Sequence, residues 1–344
     1  PGFLDAHWQR FAELGWLAAA LPEAYGGVDG SALETMVVME QFGRGLLATP
    51  YFATIVLGGS LLTLGGSEDQ KQALLPAVAE GALKLAFAHG EAESRYELPD
   101  VATTAVRDGE GYRLNGRKSV VFYASAADKL IVSARTAGER RDEEGISLFL
   151  IDKETPGLVM THYRTQDGGR ASELTMEDLL VGPEDRIGAE GEALSLIEAV
   201  TDTGIAALAA EASGIMWAVY ERTLEYLKTR QQFGRTLGSF QALQHRMVDV
   251  YMKCQLAQSL VHEATLALTD HDETRRARAA AAAKYRLGLH ARDVGQEGVQ
   301  LHGGMGMTMD LPIGHYLKRI TAINATLGDP AHHLKRFRQL TAAP

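Results

Sequence analysis

Along this chain the apolar period changes twice, and that change limits the architecture more than any single motif does. Up to residue 83 the spacing is helical, in "FLDAHWQRFAELGWL", "ALETMVVMEQFGRGL" and "QKQALLPAVAEG", because apolar side chains recurring every three to four residues line one face of a helix. From 84 to 188 the period falls to two, in "VATTAVRDGEGYRLNGRKSVVFY", "DKLIVSAR" and "ISLFLID", with "DGEG" and "NG" as turn signals. The helical period then returns over four segments, roughly 192–229, 237–268, 273–300 and 315–341. Short strands with no helices between them predict a small barrel or sandwich, and four long helices predict a bundle. The expected fold is therefore α+β and multidomain: an N-terminal α-helical domain (1–83), a middle β-barrel or sandwich (84–188) and a C-terminal four-helix bundle (189–344).

Composition narrows the function classes. A net charge of −10 with scattered basic residues argues against a phosphate-tracking nucleic-acid surface. The single cysteine, Cys254, excludes an internal disulfide framework and a thiolate zinc site, is expected to be buried, and suits a reducing cytoplasm. "IAALAAEASGIMWAVY" is interrupted by Glu211 and small residues, so no membrane insertion is expected. The chain starts at Pro1 without a signal-like segment, which leaves room for a leading piece.

Two strings carry the chemistry. In "YLKTRQQFGRTLGSFQALQHRMVDVY" a helix ends, Arg230 is followed three residues later by Phe233-Gly234, and Phe240-Gln241 opens the next helix. An arginine beside a glycine turn can grip a diphosphate, since guanidinium gives bidentate charge-assisted bonds and glycine admits the backbone. The bland alternative is a helix-terminal cation next to a C-cap glycine. In "VQLHGGMGMTMD", Gln300 stands at a helix end before Gly303, Gly304 and Gly306. Glycines there can bring backbone N–H groups up to an anionic or planar ligand, and a simple C-cap is again the bland alternative.

The ordered set "GWL…LPEAYGG", "LNGRK", "TRQQFG..FQ" and "QLHGGMGM" resembles the acyl-CoA dehydrogenase family from about residue 10 to about 338. Within that family, "ETMVVMEQFGRGLLATPYFAT", "SRYELPDVATTA" and "GDPAHHLKR" resemble the small-subunit branch of bacterial pimeloyl-CoA dehydrogenases, which are hetero-oligomeric. The resemblance implies FAD as cofactor and an acyl-CoA thioester as substrate. It also implies a carboxylate base that removes the proton next to the thioester while hydride passes to flavin.

Neither family position for that base holds an acid here. The first, before a glycine-threonine pair, is Leu327, followed by Gly328 and Asp329. The second, 26 residues before Arg230, is Gly204, with Ile205 where an arginine is usual. Losing a general base costs about 10²–10⁴ in rate. In the β region only Glu91 of the flavin elements is recognisable, and the tryptophan and threonine that touch the ring become Val120 and Phe122. By contrast, the residues that relatives lend to a neighbour's FAD are mostly kept: Arg230, Phe233, Gln241, Gln300, Gly303 and Gly304.

Other acids and histidines have plainer readings. Asp329 suits a cap or turn, with catalysis as its sharper alternative. Asp202 and Glu211 suit core-edge polar contacts or solvent. His332 and His333, near Lys335 and Arg336, suit a solvated or interface face, and adjacent histidines on a helix point apart, so no metal site is expected. Three functions follow. One is a base-lacking subunit that lends FAD contacts to a homologous large subunit. Another is a self-sufficient homo-oligomeric flavoenzyme, a dimer of dimers, with a displaced base such as Asp329. The last is a structural or regulatory protein without flavin.

Overall fold

The computed structural model describes residues 2–270 and 272–342. Contacts divide the chain into two compact units, one running to Glu34 and from Ala48 to Gly204, the other formed by Thr35–Leu47 and the chain from Ile205 on.

In the first unit, helix α1 (Asp5–Glu13) buries Trp8 and Phe11, and the Trp8 indole N–H donates to Gly81 O at 2.9 Å. Helix α2 (Ala32–Gly45) follows and belongs from Thr35 on to the second unit. The stretch Phe52–Gly59 is a wholly buried π-helical segment that runs into α3 (Ser60–Gly65), an element the apolar spacing does not announce. Helix α4 (Glu68–Ala79) begins with a reciprocal capping box between Ser67 and Gln70.

Eight strands follow: β1 (Leu85–Ala88), β2 (Thr104–Asp108), β3 (Gly111–Phe122), β4 (Lys129–Arg135), β5 (Ile146–Asp152), β6 (Leu158–Arg164), β7 (Arg170–Val181) and β8 (Arg186–Ile187). They form one mixed sheet in the order β6-β7-β3-β2-β4-β5-β8, with β1 pairing β4 in parallel. "DGEG" makes the tight β2–β3 turn, where Asp108 faces Gly111. "NG" does not turn the chain: Asn115-Gly116 lies inside β3 at a shift of register against β7. Glycine is required there by close approach, because a Cβ on Gly116 would come within 2.6–2.8 Å of Thr103.

Helix α5 (Leu194–Thr229) is long and apolar enough, by length and composition, to cross a membrane, contrary to the reading of its sequence as too interrupted. Its apolar window is 83% buried, as in a core helix. In the second unit a two-strand ribbon, β9 (Gln231–Gln232) and β10 (Arg235–Thr236), leads to α6 (Gln241–Ala267) and α7 (Glu273–His302). The fourth expected long helix is two: α8 (Ile313–Ala325) and α9 (Pro330–Ala342). The break falls where Leu327 and Gly328 both take positive φ, 55° and 107°, and proline opens the next helix.

Candidate functional site

The two motif strings meet at one end of the second unit. Tyr226, near the end of α5, stacks on His302 at the end of α7 with ring centroids 4.4 Å apart. A small apolar cluster of Leu227, Met247 and Leu301 packs beneath them. This contact brings the Arg230 and Gln300 segments together although 70 residues (300 − 230) separate them in sequence.

Residues 233 and 234 form the turn of the β9–β10 ribbon, and both have positive φ, 54° and 78°. That pair of values makes a two-residue hairpin turn rather than a helix cap. It costs energy for a phenylalanine, and it leaves Phe233 88% exposed. Arg230, Gln241 and Gln300 are exposed too, and among the described residues no side-chain hydrogen bond or ion pair engages the Arg230 guanidinium. Gly303 ends α7 with φ 59°, and a Cβ at Gly303 or Gly304 would meet nothing within 4 Å. The set thus offers an unpaired cation, two amides, an outward aromatic ring and open backbone. These groups suit a nucleotide's diphosphate and base.

The Leu327 turn is built with more care than a leucine there would require. Lys284 of α7, fully buried, donates from Nζ to Ile323 O, one of the carbonyls left open at the end of α8. Burial, then the neighbouring Arg319, draws its pKa down to about 7. Arg319 in turn holds Glu211 in a two-pronged ion pair of 2.6 and 2.7 Å, so Glu211 is a buried core contact. On the other side, His333 Nε2 donates to Leu327 O at 2.8 Å. His333 is only 1% exposed, buried within the chain and not on the solvated or interface face expected of it: the chain folds back at Gly328, so tightly that a Cβ there would lie 2.4 Å from His333 Nε2. Asp329 Oδ1 accepts from the His332 N–H at 2.8 Å and caps α9. Gly204, at the second family position, and Ile205 are buried in α5.

In the sheet, Glu91 is the centre of a buried polar cluster. Its carboxylate accepts from Lys118 Nζ at 2.7 Å, Thr103 Oγ1 at 2.7 Å, Thr103 N at 3.0 Å and Ala102 N at 2.9 Å. Burial alone would raise this carboxyl, but Lys118 and Thr103 hold it below the ordinary value. Burial pulls Lys118 down to about 8 against the opposing pull of Glu91. Two residues beyond Lys118, Val120 sits at φ 55° and is 49% exposed, with its N–H given to Glu173. Phe122 is half-buried. Neither side chain supplies a hydroxyl or an indole.

Sequence reasoning missed Lys284 and Lys118, the burial of His333 and the pairing of Glu91 with Lys118. The one usable signal was a lone lysine inside the alanine run of α7, since a charge on an apolar face must find a buried partner.

Three domain descriptions match in chain order: Acyl-CoA dehydrogenase, N-terminal domain, over residues 2–82, middle domain over 86–179, and C-terminal domain over 195–336. Over 315 residues the chain is 31% identical to the probable acyl-CoA dehydrogenase YngJ of Bacillus subtilis (strain 168), spanning 90% of this chain and 82% of that protein. It is 30% identical over 302 residues, 86% of this chain and 79% of the other, to CarC, a subunit of the caffeyl-CoA reductase-Etf complex of Acetobacterium woodii. Butyryl-CoA dehydrogenase from Megasphaera elsdenii superposes with a TM-score of 0.92 at 25% identity, covering 99% of this chain and 91% of that one. The chain belongs to the acyl-CoA dehydrogenase family, FAD-dependent oxidoreductases with helical, β and helical domains in that order.

Proposed function

We infer that this chain is the base-lacking subunit of a hetero-oligomeric acyl-CoA dehydrogenase and lends FAD contacts to a homologous catalytic subunit. The observation that carries this reading is a contrast within the chain. An intact turn presents Leu327 where a proton acceptor is needed, while Arg230, Phe233, Gln241, Gln300, Gly303 and Gly304 stand exposed and ready for a ligand.

FAD, when bound, supplies the hydride acceptor for α,β-desaturation of an acyl-CoA. The residues present fit its nucleotide tail: Arg230 for the diphosphate, Phe233 for stacking, and Gln241, Gln300 and the open glycines for the adenine end. They do not fit its ring, because Val120 and Phe122 offer neither hydroxyl nor indole. No proton-transfer step is assigned to this chain. The complex named for the relative CarC is in keeping with such a role. The narrower likeness to pimeloyl-CoA dehydrogenase small subunits makes a dicarboxylate-derived thioester the first substrate to try. Cytoplasmic placement belongs to the same reading and rests on the single buried Cys254.

The test is to purify the chain alone and with a co-expressed homologous subunit. Colourless protein alone, and a yellow complex that acyl-CoA bleaches, is the expected pair of results. Full flavin content in the isolated chain, with bleaching by acyl-CoA, overturns the reading in favour of a self-sufficient enzyme.

A further inference from the structure

We propose that Met305, Met307 and Met309 form a peroxide-reactive thioether site, and that their conversion to sulfoxides loosens the hold on FAD. The chemistry of the site stands by itself, whereas its effect on FAD rests on the reading of this chain as a lender of FAD contacts.

The loop after α7 places three of the chain's ten methionines within five residues, in "GGMGMTM". Its first part, Gly303–Met307, is a 3₁₀ turn. Gly306 backs onto the end of α7, where a Cβ would lie 2.4 Å from Val299 O. The methionines, at every second position, take the outer side: Met305, Met307 and Met309 are 43%, 78% and 70% exposed. Among the described residues no hydrogen bond engages their sulfurs. The loop is held instead through its backbone, since Met305 O accepts the Thr308 N–H at 3.2 Å and the Thr308 hydroxyl at 2.9 Å. The sulfurs can therefore react without the fold opening. Elsewhere Met39, Met176, Met216 and Met247 are buried, Met36 and Met160 are half-buried, and Met252 is exposed on another element, α6.

Hydrogen peroxide is the oxidant, and a reduced flavin forms it when dioxygen takes its electrons. A lone pair on Sγ attacks one peroxide oxygen and the O–O bond breaks. The sulfur loses two electrons and keeps that oxygen as a sulfoxide, while the other oxygen leaves as water. Position decides the consequence. Gly303 and Gly304, whose open backbone is among the groups that suit FAD, directly precede Met305. A sulfoxide there puts a strong acceptor into a surface that must shed its water when the nucleotide is covered, and its oxygen competes for the N–H groups of the loop.

Peroxide titration followed by peptide mass spectrometry on the isolated full chain reads the site. The peptide carrying residues 305–309 is expected to gain up to three oxygens while Met39, Met176, Met216 and Met247 stay unmodified. Oxygen on any of those four before residues 305–309 overturns the site. In the co-expressed complex the same dose is expected to speed FAD loss by about tenfold over the untreated complex, the worth of one polar group desolvated without a partner. The triple variant M305L/M307L/M309L, which removes the sulfurs with little change of volume, is expected to resist, and Met252→Leu to respond as the wild type does. A methionine sulfoxide reductase is expected to restore retention. Equal loss in the triple variant and the wild type, protection by Met252→Leu alone, or no loss at all overturns the effect on FAD. A complex that never turns yellow defeats the subunit reading instead, and the mass spectrum of the isolated chain still judges the site.

Discussion

His333 shows how one side chain ties the turn to pH. Its Nε2 carries the proton, since Leu327 O is an acceptor, and its Nδ1 has no hydrogen-bond partner. A second proton would place an N–H in a site with nothing to receive it. Burial, reinforced by Lys284, His332 and Arg336, accordingly pulls its pKa from 6.5 down to about 3. The unfolded chain binds this proton below pH 6.5 and the folded chain does not. Stability from this residue is therefore complete above pH 6.5 and falls on acidification, by about 1.4 kcal/mol per pH unit. Denaturation midpoints between pH 6.5 and 5, above the range where carboxylates titrate, are expected to drop in the wild type and to drop less in His333→Gln. Equal slopes would remove His333 from the account. The ion pair of Arg319 with buried Glu211 makes a second prediction at this scale. Arg319→Ala strands the carboxylate and is expected to cost about 3–5 kcal/mol in urea unfolding, as breaking a buried pair from one side does.

The elements owe their ends to contacts that are remote in sequence. Separate helices α8 and α9 exist because Gly328 permits a reversal at φ 107° and His333 closes against it. Gly328→Ala adds a methyl where backbone and space both forbid it, and is expected to lower stability by about 1–3 kcal/mol. A urea midpoint unchanged from wild type would show that the turn relaxes. This break was only half legible. The apolar spacing from 315 to 341 runs through it, and glycine, aspartate and proline in a row are the sole local sign. The "NG" of β3 misleads for the opposite reason: the pair is a common hairpin turn, yet here glycine serves the approach of Thr103. The apolar runs of β4 and β5, buried along nearly their whole length, need no distant partner to be recognised. The π-helical stretch Phe52–Gly59 is buried on every side and so has no amphipathic period to read.

At the scale of the molecule, the sequence motifs for lending a cofactor contact were legible because they are contiguous strings, whereas the clamp around Leu327 was not, because Lys284, His333 and Arg319 come from three helices. If the chain lends contacts and holds no ring of its own, a complex with its homologous partner is expected to contain half as many FAD molecules as polypeptides. Flavin released by denaturation and counted against total protein checks this, and an equal count would refute it. Arg230→Ala is expected to speed FAD loss from that complex by about tenfold or more, the worth of one charge-assisted bond, as read by gel filtration in dilute solution. Phe233 adds a last consequence. An aromatic ring held out in water at the tip of a short ribbon is an invitation to unwanted neighbours. The soluble yield of this polypeptide should accordingly rise with the supply of whatever chain covers that ring, making balanced synthesis of the two a requirement of assembly.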